Sequence, residues 1–337
     1  MTFKIPLTPV IICGLFLAAP AGFSQGALTP PPGAPGPTMK TLAQIEPRTP
    51  VATNTTPGDA NDVYIISQPG SYYLTSNLVG VGTENGIEIA ANDVTLDLNG
   101  FTLQSVPTNA SFLLNNGITM QSTLTNVTVR NGMVTGWLYG LFSLSQTSAN
   151  MVVEHVNFAN CNAGSSAAAA GIYLSGGVIA RDCTFENDTD GIECNGYNSP
   201  VPSIITDCTD DNSQIGFSCG GTTVITGCTV VNCQNSGILI GGGQGSVISG
   251  CTANNDSAAI YVYAPQCRIE ANHITTTNSG YGILIGGNGD TNNIVIKNSV
   301  EGYGLNNYHL ISGQIVGPII TAAGTITNSN PWANFSF

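Results

Sequence analysis

The residues best suited to chemistry gather in one stretch. Asp182, Glu186, Asp188, Asp190, Glu193, Asp207, Asp210 and Asp211 are eight of the chain's 20 acids, all between residues 182 and 211. Carboxylates at that density suit two tasks: holding a hard cation such as Ca²⁺ through oxygen ligands, and acting as paired acid and base on a glycosidic bond. The stretch carries two copies of one repeat, Cys183-Thr-Phe-Glu-Asn187 and Cys208-Thr-Asp-Asp-Asn212, which continues as Cys228-Thr-Val-Val-Asn232 and Cys251-Thr-Ala-Asn-Asn255. When the copies are aligned on Cys, Asp182 and Asp207 share the slot before it, and Glu186 and Asp211 share the slot three after it. Neighbouring strands of a parallel ladder lie about 4.8 Å apart, so these would be two stacked like-charge pairs, unfavourable unless something neutralises them. Asp182, Glu186, Asp207 and Asp211 are therefore the candidate Ca²⁺ ligands.

Asp210 breaks a second rule. Alternation from an inward Cys puts it in the slot held by Phe185, Val230 and Ala253 on the other copies, and an unpaired carboxylate buried there costs several kcal/mol or takes up a proton. Asp210 and Asp211 are the candidate catalytic carboxylates. Arg181, the one cation adjoining the patch, is the candidate base or charge partner. The plain alternatives are a local bulge that turns Asp210 outward, a solvated acidic face, and an Arg181 that simply offsets its neighbours.

The elements that must position these residues are legible from the period. The copies are offset by 25, 20 and 23 residues, and such a period filled with β-branched residues and turn formers predicts stacked solenoid coils. A Gly-apolar-x-apolar strand signal recurs from Gly86 through Gly117, Gly171, Gly191, Gly216 and Gly237 to Gly282, loosely at Gly140, with Ala259 in the same place. A second strand recurs from Val94 to Ile294, and no helical stretch intervenes, which excludes a βαβ fold. Asn187, Asn212, Asn232 and Asn255 hold one slot and predict a ladder of turn amides, since Asn tolerates left-handed backbone. Cys161–Ala170 and Asn195–Pro202 read as insertions flanking the acidic coils, where binding clefts form. The stacked Cys residues read as buried free thiols, because their parallel Cβ vectors disfavour disulfides. Leu239, Tyr261 and Leu284 form an outward apolar stripe. It is read first as a seat for the tail and second as a homo-oligomer contact.

Quoted in order, Gln68-Pro-Gly-Ser-Tyr-Tyr-Leu74, Gly86-Ile-Glu-Ile89 and Asn92-Asp-Val-Thr-Leu-Asp-Leu-Asn-Gly-Phe-Thr-Leu103, followed by the Asn-rich coils, resemble secreted bacterial right-handed parallel β-helix proteins of the pectate-lyase-like superfold, many without an assigned activity. The resemblance spans roughly 63–300 and implies an all-β right-handed parallel β-helix of about 9–10 coils of roughly 23 residues. It implies no single reaction. Polygalacturonase-like members carry N-T-D, D-D, G-H-G and R-I-K stretches. Asn187-Asp-Thr-Asp-Gly191 and Asp210-Asp211 look similar, but Gly243-Gln-Gly245 lacks the His and Arg268-Ile-Glu270 lacks the Lys.

The remaining boundaries follow from local signals. Lys4, the apolar run Ile5–Ala19 and Ala19-Pro-Ala21 predict a signal peptide over 1–21, too short to span a bilayer. A Pro-rich spacer occupies 22–37, and a capping helix carrying Met39, Leu42 and Ile45 on one face, with its loop, occupies 38–62. The β-helix is assigned to 63–304 and a strand-rich C-terminal cap to 305–337. Seven Lys and Arg against 20 Asp and Glu give a net charge of −13, which disfavours nucleic acid and anionic membranes. The expected function is an exported β-helix protein binding or processing an extended polysaccharide on its lateral face, as a lyase or glycoside hydrolase where it is an enzyme; the alternative is a non-catalytic surface or adhesion scaffold.

Overall fold

The computed structural model describes residues 47–105, 115–121, 123–162, 169–194, 201–277, 279–287, 289–321 and 324–337. The chain divides into residues 1–46 and residues 47–337, and all the described residues belong to the second unit. The capping helix expected at 38–46, the spacer and the signal segment lie outside the described residues. Residues 47–62 hold a short strand, Thr49–Pro50, and no helix. Among the described residues no helix is long and apolar enough to cross a membrane.

Two parallel sheets wind around one core. The first has eleven strands, from Asp62–Ile66 to Asn306–Leu310, each paired in parallel with the next. The second has 22 and supplies two strands per coil, which merge in Thr125–Thr135 and Ala149–Ala159. The chain is a stack of about ten coils. Coils are numbered here by their first-sheet strand, so that Tyr139–Ser143 is the fourth, Ala170–Leu174 the fifth and Asp190–Cys194 the sixth. Paired residues lie 20 positions apart from Ile172 to Ile192 but 31 apart from Ile87 to Ile118 and from Leu141 to Ile172. The second of these long intervals contains the expected insertion Cys161–Ala170.

Register makes each side chain stack on its counterpart. Ile172, Ile192, Phe217, Ile238, Ile260 and Ile283 form one fully buried column, and Ala180, Ile205, Ile225, Ile248, Ile269 and Val295 another. Burying each large aliphatic side chain contributes about 1.5–3 kcal/mol, which commits alternate residues inward and sends their neighbours out. Phe158 stacks on Phe185 at 5.3 Å, and Phe217 meets Phe185 edge-on at 6.1 Å.

The recurrent glycine has a steric cause. A methyl group at Gly191 would stand 2.6 Å from the Gly216 carbonyl oxygen, and one at Gly216 would stand 2.5 Å from that of Gly237. Real Cβ atoms do not approach so closely, so the corner packs backbone against backbone.

All nine described cysteines are free and buried. The thiols of Cys183, Cys208 and Cys228 each point at the carbonyl two residues back, at 3.3, 3.3 and 3.4 Å. Their column does not end at Cys251. Asn272, Asn298 and Asn334 continue it as a buried amide ladder: Cys251 N–H donates to Asn272 Oδ1 at 2.9 Å, Asn272 N–H to Asn298 Oδ1 and Asn298 N–H to Asn334 Oδ1, both at 3.0 Å. The tail therefore does not lie along the Leu239–Tyr261–Leu284 stripe. Asn306–Leu310 pairs with Tyr281–Ile285, and Asn334–Ser336 pairs with Ser299–Glu301. Stacking end-on satisfies backbone groups that a tail laid across an outer face would leave unpaired.

Gly216→Ala is expected to lower unfolding free energy by about 1–3 kcal/mol through overpacking. Ala259→Gly, which only removes a methyl the corner already accommodates, should cost about 1 kcal/mol or less. Urea denaturation compares them, and equal losses would contradict the steric account.

Candidate functional site

The structure separates the acids that the sequence groups together. Asp210 does occupy the inward slot, paired with Phe185 on one side and Val230 on the other. It is fully buried, its Oδ2 accepting the Ser213 hydroxyl at 2.8 Å and its Oδ1 the Cys233 thiol at 3.4 Å. No polymer reaches it there. Asp211 lies on the outer surface in register with Glu186 and accepts the Asn232 amide at 2.9 Å. Arg181 is engaged elsewhere: its Nε donates to Glu154 at 2.8 Å, within a charge-alternating column that includes Arg130 and Asp97. Asp210, Asp211 and Arg181 are thus not brought to one surface.

The proposed Ca²⁺ set does not assemble either. Asp182 and Asp207 sit in left-handed turns (φ 52° each) ahead of the Cys slot, Asp182 with His155 at 3.6 Å, while Glu186 and Asp211 end the strands that follow it, Thr184–Glu186 and Thr209–Asp211. Among the described residues no three His, Cys, Asp or Glu side chains come close enough to hold a metal ion.

A different constellation forms on the outer face of the first sheet. Position one of its strands carries Tyr139, Ala170 and Asp190 on coils four, five and six, and position four carries Phe142, Tyr173 and Glu193. Position four is half-exposed, whereas at position one Tyr139 and Ala170 are buried and Asp190 is half-buried; the bulky third and fifth residues fill the core and the glycine packs into the corner. The small Ala170 leaves room beside Tyr139, whose ring leans to 4.9 Å from Tyr173 and stacks at 4.8 Å on Phe142; Phe142 stacks on Tyr173 at 5.4 Å. Three rings form one platform, with Asp190 and Glu193 at its edge. Residues 163–168 and 195–200, which fall within the expected insertions Cys161–Ala170 and Asn195–Pro202, lie outside the described residues.

The electrostatics of the platform are unusual. Burial, then the charges of Glu193 and Asp210, push the Asp190 carboxyl up to about 8, so it is protonated at neutral pH. Burial, then Glu193, raises the Tyr139 hydroxyl to about 12. A neutral carboxyl beside a second carboxyl is the arrangement from which acid and base roles arise. Sequence reasoning missed the rings, although the signal was present. The slot recognised through Leu239, Tyr261 and Leu284 runs in unbroken register through Ser218, Glu193 and Tyr173 to Phe142.

Further acids are internal. Asp188 accepts the Cys161 N–H at 2.6 Å and Asp256 the Cys233 N–H at 2.8 Å, so each caps the previous coil. Burial raises Asp188 well above the ordinary carboxylate range, and Asp210 and Asp256 to about 7. Elsewhere, a concavity of about 400 Å³ near the last coils is lined by Arg268, Ile294, Ile315, Pro318 and Trp332 among others. Lys297 lies 4.9 Å from the Trp332 ring, and both Arg268 and Lys297 are held by Glu270.

The family described as right handed beta helix region matches residues 171–328. With the register above, this makes the chain a right-handed parallel β-helix protein. Similar solved structures include the tailspike protein of E. coli bacteriophage HK620 in complex with pentasaccharide, at 14% identity, covering 82% of this chain and 67% of that one, with a TM-score of 0.35. Another is the Azotobacter vinelandii mannuronan C-5 epimerase AlgE4 A-module, at 12% identity, covering 74% and 91%, with a TM-score of 0.32. No curated protein matches the chain.

An acid whose pKa rises on folding holds its proton more tightly in the folded state. Its stabilisation is complete below the unfolded value and is lost as pH climbs through the folded one. Asp210 and Asp256, raised from 3.8 to about 7, and Asp190, raised to about 8, place that loss between about 4 and 8. The melting temperature is expected to fall across this window. Asp210→Asn should flatten the fall and raise Tm at pH 8 while changing it little at pH 4. A Tm that rises from pH 4 to 8 would contradict this reading.

Proposed function

We propose that the protein binds an extended polysaccharide on the outer face of its first sheet, across coils four to six. The observation that carries this is the Tyr139–Phe142–Tyr173 platform with Asp190 and Glu193 at its rim. A pyranose ring has an apolar C–H face and a polar hydroxyl edge. Aromatic rings supply a large, rigid contact area for the former, and a few convergent polar groups fix orientation through the latter. A ligand on this face would lie across successive coils, as an extended polymer can.

A second reading, cleavage of the bound glycan, is favoured by one observation: Asp190 holds a proton at neutral pH beside Glu193. A protonated carboxyl can donate to a leaving glycosidic oxygen while a neighbouring carboxylate stabilises or activates the attacking group. The chemistry of a lyase, which removes a proton beside a uronate, finds no free Arg or Lys among these five residues. Export suits this reading and is supported by Lys4, the apolar run Ile5–Ala19 and the small-x-small Ala19-Pro-Ala21.

Calorimetric titration of a glycan panel tests the reading. Tyr173→Ala and Phe142→Ala, both outward changes, are each expected to weaken binding about tenfold, the equivalent of about 1.4 kcal/mol. Asp190→Asn should leave affinity within about threefold and abolish any depolymerisation. Undiminished binding by both ring variants would refute the platform, and binding with no depolymerisation by the unaltered protein would leave a non-catalytic scaffold.

A further inference from the structure

The turn that leads into each first-sheet strand repeats one design. An Asn in left-handed backbone, at φ 57° for Asn187, 66° for Asn212, 60° for Asn232 and 64° for Asn255, is followed by an inward residue and then by a polar one, which is buried at Thr189 and outward at Gln214, Gln234 and Ser257. The amides form a ladder: Asn212 Nδ2 donates to Asn187 Oδ1 at 2.7 Å and Asn255 Nδ2 to Asn232 Oδ1 at 2.8 Å, while Asn232 Nδ2 turns to Asp211. Beside this ladder runs the outward polar column, which includes Gln214 and Gln234. Between them lie two concavities, of about 300 and about 540 Å³, which share Asn212 and Gln234 and so form one groove.

Three properties of this groove point to its occupant. It follows the stacking direction through six successive turns, from Asn162 to Ser279. That is five intervals of about 4.8 Å, or about 24 Å, and one interval is close to the length that one sugar adds to an extended 1,4-linked chain. Its lining is mostly amides and hydroxyls, with no Lys or Arg; the single acid, Asp188, is buried, and burial holds its carboxyl well above the ordinary range. The side-chain amides of Gln214 and Gln234 have no hydrogen-bond partner among the described residues, so both present donors and acceptors to the groove. The groove also reaches Asp188 and Thr189, which lead directly into Asp190 at the rim of the aromatic platform.

We infer that the ligand is an uncharged linear polysaccharide that leaves the platform at Asp190 and runs along the solenoid axis in the amide groove, about one sugar per coil. The inference deepens the platform reading and rests on it for the position of the first sugars. Charge supports it. With a net charge of −13 and the Glu193 carboxylate at the platform, a polyuronate would meet repulsion and find no basic group among the described residues of either part of the site.

The test uses the full-length protein with di- and hexasaccharides of mannan, xylan and β-1,4-glucan, and with hexagalacturonate, in EDTA and in Ca²⁺. An uncharged hexasaccharide should bind at least about tenfold more tightly than its disaccharide. The double variant Gln214→Ala/Gln234→Ala should lose about tenfold in hexasaccharide affinity, the worth of two neutral hydrogen bonds, with disaccharide affinity unchanged. Tighter binding of hexagalacturonate than of every uncharged hexasaccharide in either buffer would overturn the inference, as would a double variant that binds hexasaccharide normally. Failure of the groove alone is distinguishable: Tyr173→Ala would then still weaken both ligand lengths. If Tyr173→Ala weakens neither, the platform itself falls.

Discussion

Parallel pairing of each coil with the next is the constraint on which everything else rests. Because one coil follows another at about 4.8 Å, a residue's nearest neighbours are the residues in its own slot one coil away. A slot that suits Ile on one coil suits it on the next, which yields the Ile172-to-Ile283 column. A slot whose backbone corner leaves no room for Cβ must be glycine repeatedly, as at Gly171, Gly191, Gly216 and Gly237. The same rule builds the outer faces, where an aromatic residue in one slot acquires an aromatic neighbour only if the next coil also supplies one.

Inside, the coils solve a recurrent problem. At several corners the chain leaves the ladder and strands an N–H group, and an inward polar side chain from the adjacent coil accepts it: Asp188 for Cys161, Asp256 for Cys233, and Asn272, Asn298 and Asn334 for Cys251, Asn272 and Asn298 in succession. Unsatisfied, each such group would cost about 1–3 kcal/mol. Asp188 and Asp256 thus act as caps of the neighbouring coil, and burial raises the carboxyl of each above its ordinary range. Asp190 differs because it stands one step outside the cap column, where a raised pKa coincides with access to a ligand.

The coil period, the glycine corner, the Asn ladder, the free thiols and the inward position of Asp210 were all legible in the sequence, because each is a same-slot repetition. The polar cores of the C-terminal coils were harder to read, since Asn272, Asn298 and Asn334 replace Cys with a different residue of similar role. The site was the least legible. Tyr139 and Tyr173 are 34 residues apart and meet because their strands pair in register, Tyr139 with Ala170 and Phe142 with Tyr173, an offset of 31 residues that a 23-residue period does not show. Acid density misled for the opposite reason: residues adjacent in sequence on a β-helix point to different faces, so the eight acids between 182 and 211 divide among the interior, the turns ahead of the Cys slot, the second sheet and the platform.

The most direct test of the account is a crystal structure of the protein soaked with an uncharged hexasaccharide. The account predicts sugar density over the rings of Tyr139, Phe142 and Tyr173, beside Asp190 and continuing past Gln214. Density confined to the concavity of Arg268 and Trp332, with the platform bare, would contradict it.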